Sequence, residues 1–129
     1  MNKNSLILGA FILLKLILQY LLIDSGYDLH RDEYLHLDQA KHLAWGYQSV
    51  PPVTSWISFI IGLLGNGVFW IKFFPALFGA LTLVVVWKTI EELNGDLIAL
   101  LIGAAGVLFS SLLRLNTLYQ PNSLDVLCW

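Results

Sequence analysis

The densest chemistry in the chain is the run His30-Arg31-Asp32-Glu33-Tyr34-Leu35-His36-Leu37-Asp38. Two adjacent carboxylates stand beside a guanidinium and imidazoles, residue types that accept protons, hold divalent cations or meet phosphates. The pattern suits a helix from Glu33 to Trp45, with Asp32 as its N-cap and Gly46 as its stop. On that helix Leu37, Ala40, Leu43 and Ala44 share a broad face with Tyr34 and Trp45. Glu33 projects into this apolar arc and is thereby expected against the apolar body of the chain. His36 lies one turn after Asp32 and three residues after Glu33, so the three side chains can converge on one patch, suited to a divalent cation or a general base. The plainer alternative is that Asp32 only caps, Glu33 only complements the helix dipole, and His36 is a solvated surface residue. His30 and His42 do not share that face and read as interfacial polar residues rather than ligands.

Further candidates are scattered. Asp125 stands one or two residues into a late helical segment, where an ionisable group is either functional or a first-turn carboxylate favoured by the dipole. Lys72 and Arg114 lie near the ends of apolar stretches and could bind a lipid phosphate, or simply anchor at the interface. Lys15 sits inside an apolar stretch, which is costly unless it snorkels or faces a polar interior of further helices. The single cysteine, Cys128, cannot form an internal disulfide and reads as a small apolar packing residue.

The elements that must position these groups are apolar. The chain is 57% hydrophobic and 12% charged, with mean hydropathy +0.72, too apolar for a domain whose surface meets water. A net charge of -2 offers no basic surface, so nucleic acid is not an expected partner. Ser5 to Ile23, interrupted only by Lys15 and Gln19, predicts a first transmembrane helix. It lacks a cleavage signal at Ile23-Asp24-Ser25-Gly26 and reads as an uncleaved signal anchor. Further spans are expected at about 73–90 and 97–115, joined by the polar turn Glu91-Glu92-Leu93-Asn94-Gly95-Asp96 as a tight helical hairpin. Gly79 and Ala80 in one span, and Gly103, Ala104, Ala105 and Gly106 in the other, would let their backbones approach closely.

The first loop, 24–72, is mixed. A charged and aromatic stretch leads through Gly46-Tyr47-Gln48-Ser49-Val50-Pro51-Pro52, a helix stop and a proline-stiffened segment, into the amphipathic run Val53 to Leu64. That run is too short to span and is expected to be an interfacial or re-entrant helix. After the polar stretch Asn116 to Asn122, Ser123 to Trp129 resembles the start of a fourth span, which suggests a truncated protein. Counting spans sets the first loop and Asn116 to Asn122 on one side of the membrane, with the Glu91 to Asp96 turn on the other. The charge rule sets Lys3 and Lys88 against Arg31, Lys41, Lys72 and Arg114 and leans toward a cytoplasmic first loop.

Arg31-Asp32-Glu33, the amphipathic helix, Gly46-Tyr47 with Pro51-Pro52, Lys72-Phe73-Phe74-Pro75-Ala76-Leu77 and Gln120-Pro121-Asn122-Ser123-Leu124-Asp125 together carry a resemblance across essentially the whole chain. It resembles the N-terminal part of GT-C class membrane glycosyltransferases, in the protein O-mannosyltransferase and aminoarabinose lipid A transferase superfamily. The resemblance implies an all-α polytopic membrane domain with an extracytoplasmic helical loop. It also implies transfer of a sugar from a lipid-linked, polyprenyl-phosphate donor to a hydroxyl on an envelope glycan, lipid or protein. The family's first-loop acidic motif falls on Asp32 and Glu33, with Asp32 the foremost catalytic carboxylate, and Arg31, His36, Lys72, Arg114 and Asp125 are candidates for substrate contact. A divalent metal ion is an open cofactor. The implied location is the inner (plasma) membrane, multi-pass, with the first loop periplasmic or extracellular. The later spans and soluble part of the family are absent, so the isolated chain is expected to be inactive.

Two other classes compete. A small membrane protein or subunit without catalysis would bind lipid or a partner through its first loop. A transporter fragment would line mid-span positions with polar residues, and beyond Lys15, Gln19 and Ser110-Ser111 these are scarce.

Overall fold

The computed structural model describes residues 3–23, 29–48 and 50–129, and among them every regular element is a helix. The beginning of the expected first loop, 24–28, and Ser49 of the proline-stiffened segment lie outside the described residues. Helix α1 (Lys3–Leu21) and helix α4 (Val68–Glu92) are long and apolar enough to cross a bilayer. Between them stand α2 (Arg31–Gln39) and α3 (Pro52–Leu63), and after them α5 (Leu97–Leu108), α6 (Leu112–Leu115) and α7 (Pro121–Cys128).

Helix α1 turns its polar residues inward. Lys15 and Gln19 are its buried residues, while Leu13, Leu14, Ile17 and Leu21 are exposed. A water-soluble helix buries the opposite set, so the surroundings of α1 are apolar. Lys15 Nζ donates to Gln19 Oε1 at 2.9 Å, and Gln19 Nε2 donates to the carbonyl of Asn116. Lys15 is thus enclosed by the chain itself, against Gly79 of α4 and the buried Asn116.

Helix α4 begins five residues before the expected span. The turn Gly65-Asn66, with φ of 99° and 55°, reverses the chain, and extended Gly67 caps the new helix. Glycine and asparagine tolerate those left-handed angles best. Pro75 lies buried inside α4 without ending it, as proline does in membrane helices whose neighbours cover the opened backbone. The expected hairpin with α5 forms: Asn94 has φ 58°, Gly95 N–H donates to Ile90 O at 2.8 Å, and Asp96 Oδ1 accepts Ala99 N–H at 2.9 Å.

The expected continuous helix over 97–115 is divided. Ser110 Oγ donates to Val107 O at 2.8 Å and accepts Leu112 N–H at 3.2 Å, a side-chain alternative to the helix ladder. Helix α5 stops at Leu108, about 18 Å of helix at 1.5 Å per residue, shorter than the roughly 30 Å hydrocarbon core. The close approach of the hairpin is also narrower than the small residues suggested. A Cβ on Gly103 would collide with Ile90, but Gly106 faces open space and Gly79 faces α1.

Among the described residues, two cores hold these elements. In one, Leu83 and Trp87 of α4 pack with Leu100 and Ala104 of α5 and are covered by Ile7, Leu8 and Phe11 of α1. In the other, on the loop side, Ile61 of α3, Ile71 of α4 and Tyr119 pack under Leu29, Leu37 and Phe74. The second core fixes the first loop over one end of the helical bundle.

Candidate functional site

Helix α2 starts two residues earlier than the sequence indicates, and Asp32 is not its cap. Extended His30 is the N-cap, its Nδ1 accepting Asp32 N–H at 3.4 Å, while Glu33 Oε2 reaches back to accept His30 N–H at 2.8 Å. This reciprocal arrangement is a capping box. The helix ends at Gln39, not at Gly46. Tyr47 Oη donates to the carbonyls of His42 and Gln39 at 2.8 and 3.2 Å and accepts Ala44 N–H at 3.1 Å, so one phenol organises a loop where more helix was expected.

Freed from capping, Asp32 points outward and Glu33 inward, as the apolar arc requires. Glu33 is fully buried. Its Oε1 accepts Lys72 Nζ at 2.6 Å and Tyr119 N–H at 2.7 Å, and its Oε2 accepts Lys72 Nζ at 2.9 Å. Charge-assisted bonds from a lysine and two backbone amides occupy the carboxylate. Lys72, considered above for a lipid phosphate, therefore has an internal carboxylate partner.

Asp32 keeps 37% of its side-chain exposure. Oδ1 lies 3.5 Å from Arg31 Nε, and Oδ2 lies 3.6 Å from His30 Nδ1 and accepts Gln120 Nε2 at 3.1 Å. Donors from both expected loops thus surround one accessible carboxylate. Arg31 itself is 92% exposed at its side chain. Arg114 and Asp125 are exposed as well.

His36 is buried, not solvated, and its Nδ1 has no hydrogen-bond partner. Its ring meets Tyr119 edge-on, centroids 6.3 Å apart. Burial lowers the imidazole below its ordinary range, opposed by a Gln39 hydrogen bond and by the charges of Asp32 and Glu33. The three residues expected to share a patch therefore separate by environment: an open Asp32, an enclosed and paired Glu33, and an enclosed His36. Among the described residues no three His, Cys, Asp or Glu side chains are grouped to hold a metal ion. A cation at Glu33 would have to displace Lys72 and the amide donors, so this patch does not fit one.

Sequence reasoning missed Tyr119 and Gln120. Tyr119 Oη donates to Thr54 O at 2.6 Å and lies 3.0 Å from Ser58 Oγ, both on α3, while its amide holds Glu33. Burial pushes its phenol above the usual tyrosine range, with the Ser58 hydrogen bond opposing. One residue thereby ties α2, α3 and the approach to α7, and its neighbour Gln120 is delivered to Asp32. The available signal was the polar spacing Thr54, Ser55 and Ser58, which lines one face of α3 and needs a buried partner.

No curated protein and no solved structure matches the chain. The family model for dolichyl-phosphate-mannose-protein mannosyltransferase matches residues 49–129. That segment carries Lys72, Tyr119 and Gln120, the partners on which the acidic pair ahead of it rests. With well over half its length matched, and with the all-helical architecture and apolar spans of a membrane glycosyltransferase, the chain belongs to the dolichyl-phosphate-mannose-protein mannosyltransferase family.

Proposed function

We propose that Asp32 is the general base of a GT-C glycosyl transfer from a polyprenyl-phosphate sugar to a hydroxyl on an envelope glycan, lipid or protein. The observation that carries this reading is the contrast within the acidic pair: Glu33 is saturated by donors, whereas Asp32 is accessible and held by Gln120. The acceptor oxygen attacks the anomeric carbon as its proton passes to Asp32. The bond from that carbon to the phosphate oxygen breaks, and polyprenyl phosphate departs with the electron pair. One direct displacement inverts the anomeric centre. Arg31, exposed beside Asp32, stabilises the departing phosphate. Glu33 and Lys72 position Asp32 through α2 and make no contact with substrate. The reaction is assigned to the extracytoplasmic face of the plasma membrane, with Arg114 and Asp125 as the next residues on the loop side to meet donor or acceptor.

The test is sugar transfer from a polyprenyl-phosphate donor in membranes, comparing the gene's complete product with Asp32→Asn at equal expression. Transfer by the first and a loss of about 10²–10⁴-fold in the variant supports the assignment. Normal transfer by the variant removes Asp32 from the chemistry. Absence of transfer by both overturns the donor class.

A further inference from the structure

Helix α7 opens without a side-chain cap. Its N-cap residue, Gln120, is extended and lends no side-chain bond to the first turn, and Pro121 at the first helical position has no N–H. The amides of Asn122 and Ser123 therefore have no carbonyl to bond within the helix. They leave the helix end together, at the positive end of its dipole. Ser123 is 4% exposed, and its Oγ is buried with no hydrogen-bond partner. Helical side chains tilt toward the N-terminus, so this hydroxyl is aimed back into the same uncapped turn. A buried hydroxyl without a partner is unfavourable. One ligand that only accepts hydrogen bonds would satisfy all three donors.

The surrounding charges admit an anion. Gln120 Nε2 donates to Asp32 Oδ2 at 3.1 Å, so the carboxylate is already partnered where it adjoins the turn. Arg31, 92% exposed at its side chain and 3.5 Å from Asp32 Oδ1, supplies a cation free to swing toward a ligand. Asp125 is the acidic residue of α7 itself. It follows Ser123 by two residues, about 200° around a helix of 3.6 residues per turn, and is exposed where Ser123 is buried. Its charge therefore stands on the other side of the helix from the Ser123 hydroxyl.

We infer that the first turn of α7 is a phosphate-binding site, built from the amides of Asn122 and Ser123 and the Ser123 hydroxyl, with Arg31 as the mobile counter-ion. Helix N-termini hold phosphate through backbone amides aided by the dipole, and a phosphate carries enough acceptor oxygens for every donor here. Assigning that phosphate to the sugar donor rests on the glycosyl-transfer reading above, whereas the site itself does not. Gln120 sets the carboxylate and the amide pair one side chain apart. A direct displacement needs that separation, because base and leaving group stand on opposite sides of the anomeric carbon.

The experiment follows backbone amide resonances of the full chain, isotopically labelled at nitrogen in phosphatidylcholine nanodiscs, during titration with farnesyl phosphate, inorganic phosphate or farnesol. The Asn122 and Ser123 amide protons are expected to move downfield with farnesyl phosphate and to stay in place with farnesol. Ser123→Ala should weaken farnesyl phosphate binding roughly 10-fold, the loss of one hydrogen bond to a charged group. Ser123→Thr, which keeps the hydroxyl, should bind within a few-fold of the parent. Matching shifts with inorganic phosphate would make the phosphate group alone the ligand, and shifts confined to farnesyl phosphate would make it the lipid-linked form; both support the site. Unmoved amides at Asn122 and Ser123 overturn it, as does undiminished binding by Ser123→Ala. Equal shifts with farnesol also overturn it, since the chain and not the phosphate is then bound. Because the readout is binding, normal sugar transfer by Asp32→Asn would remove the general base and leave this site standing.

Discussion

Glu33 and Lys72, 39 residues apart, meet at 2.6 Å with the carboxylate fully buried and the lysine side chain 11% exposed. This contact joins the first turn of α2 to the second turn of α4, so the position of Asp32 is tied to a spanning helix. Breaking a buried pair by removing one partner leaves the other charge without compensation. Glu33→Gln and Lys72→Met are each expected to lower stability by about 3–5 kcal/mol. The double variant should lose less than the sum, because neither charge is then stranded. Thermal unfolding in detergent, read on all four proteins, checks it. Additive losses would mean that the two side chains act separately.

Gln120 is expected to matter for rate more than for folding. Its amide donates to the outward oxygen of Asp32, and the group is partly accessible. A hydrogen bond to a charged group contributes about 1.5–3 kcal/mol, so Gln120→Leu should reduce kcat roughly 10- to 100-fold. KM for the donor should change little. A variant that raises KM with kcat intact would assign Gln120 to donor binding instead.

Two of the three expected spans, the hairpin turn and the meeting of the two loops were legible in the sequence, because they depend on hydropathy and on Asn94-Gly95-Asp96 chemistry, whereas the third span, over 97–115, is divided after Leu108. The inward direction of Glu33 was legible from helix phase. What was not legible depended on partners distant in the chain. His30 takes the cap because Glu33, anchored by Lys72 and Tyr119, reaches back to the His30 amide. The early end of α2 depends on Tyr47, and the division after α5 on which way Ser110 turns. Local propensity favours continuing both helices, and long-range or side-chain bonds decide otherwise.

Acid should loosen the loop through His36. The folded chain holds this imidazole below its ordinary value of 6.5, with Asp32, Glu33 and the Gln39 side chain opposing the burial that causes it. The unfolded chain then binds more protons in that interval, so stability is complete above about pH 6.5 and falls as pH drops below it. His36→Phe keeps the ring edge against Tyr119 and removes the titration. Unfolding temperatures measured at pH 7.5 and 5.5 should differ more for the parent than for His36→Phe. An equal difference in both proteins would place the acid sensitivity elsewhere.

Gly79 controls how closely α1 and the Asn116 segment approach α4. A Cβ there would overlap the Asn116 amide and the end of the Lys15 side chain, whereas a Cβ on Gly9 meets nothing within 4 Å. Lys15, Gln19 and Asn116 are all buried and linked, so none can move aside without exposing a polar group to the apolar interior. Gly79→Ala is therefore expected to lower stability by about 1–3 kcal/mol, although alanine is the better helix former. Gly9→Ala should be neutral or slightly stabilising, by up to about 1 kcal/mol. Displacing Asn116 also shifts Tyr119 and Gln120 a few residues on, so Gly79→Ala should reduce transfer beyond the fraction of protein unfolded. If the two alanine variants unfold at the same temperature, the polar junction beneath the site does not constrain the packing of α1 on α4.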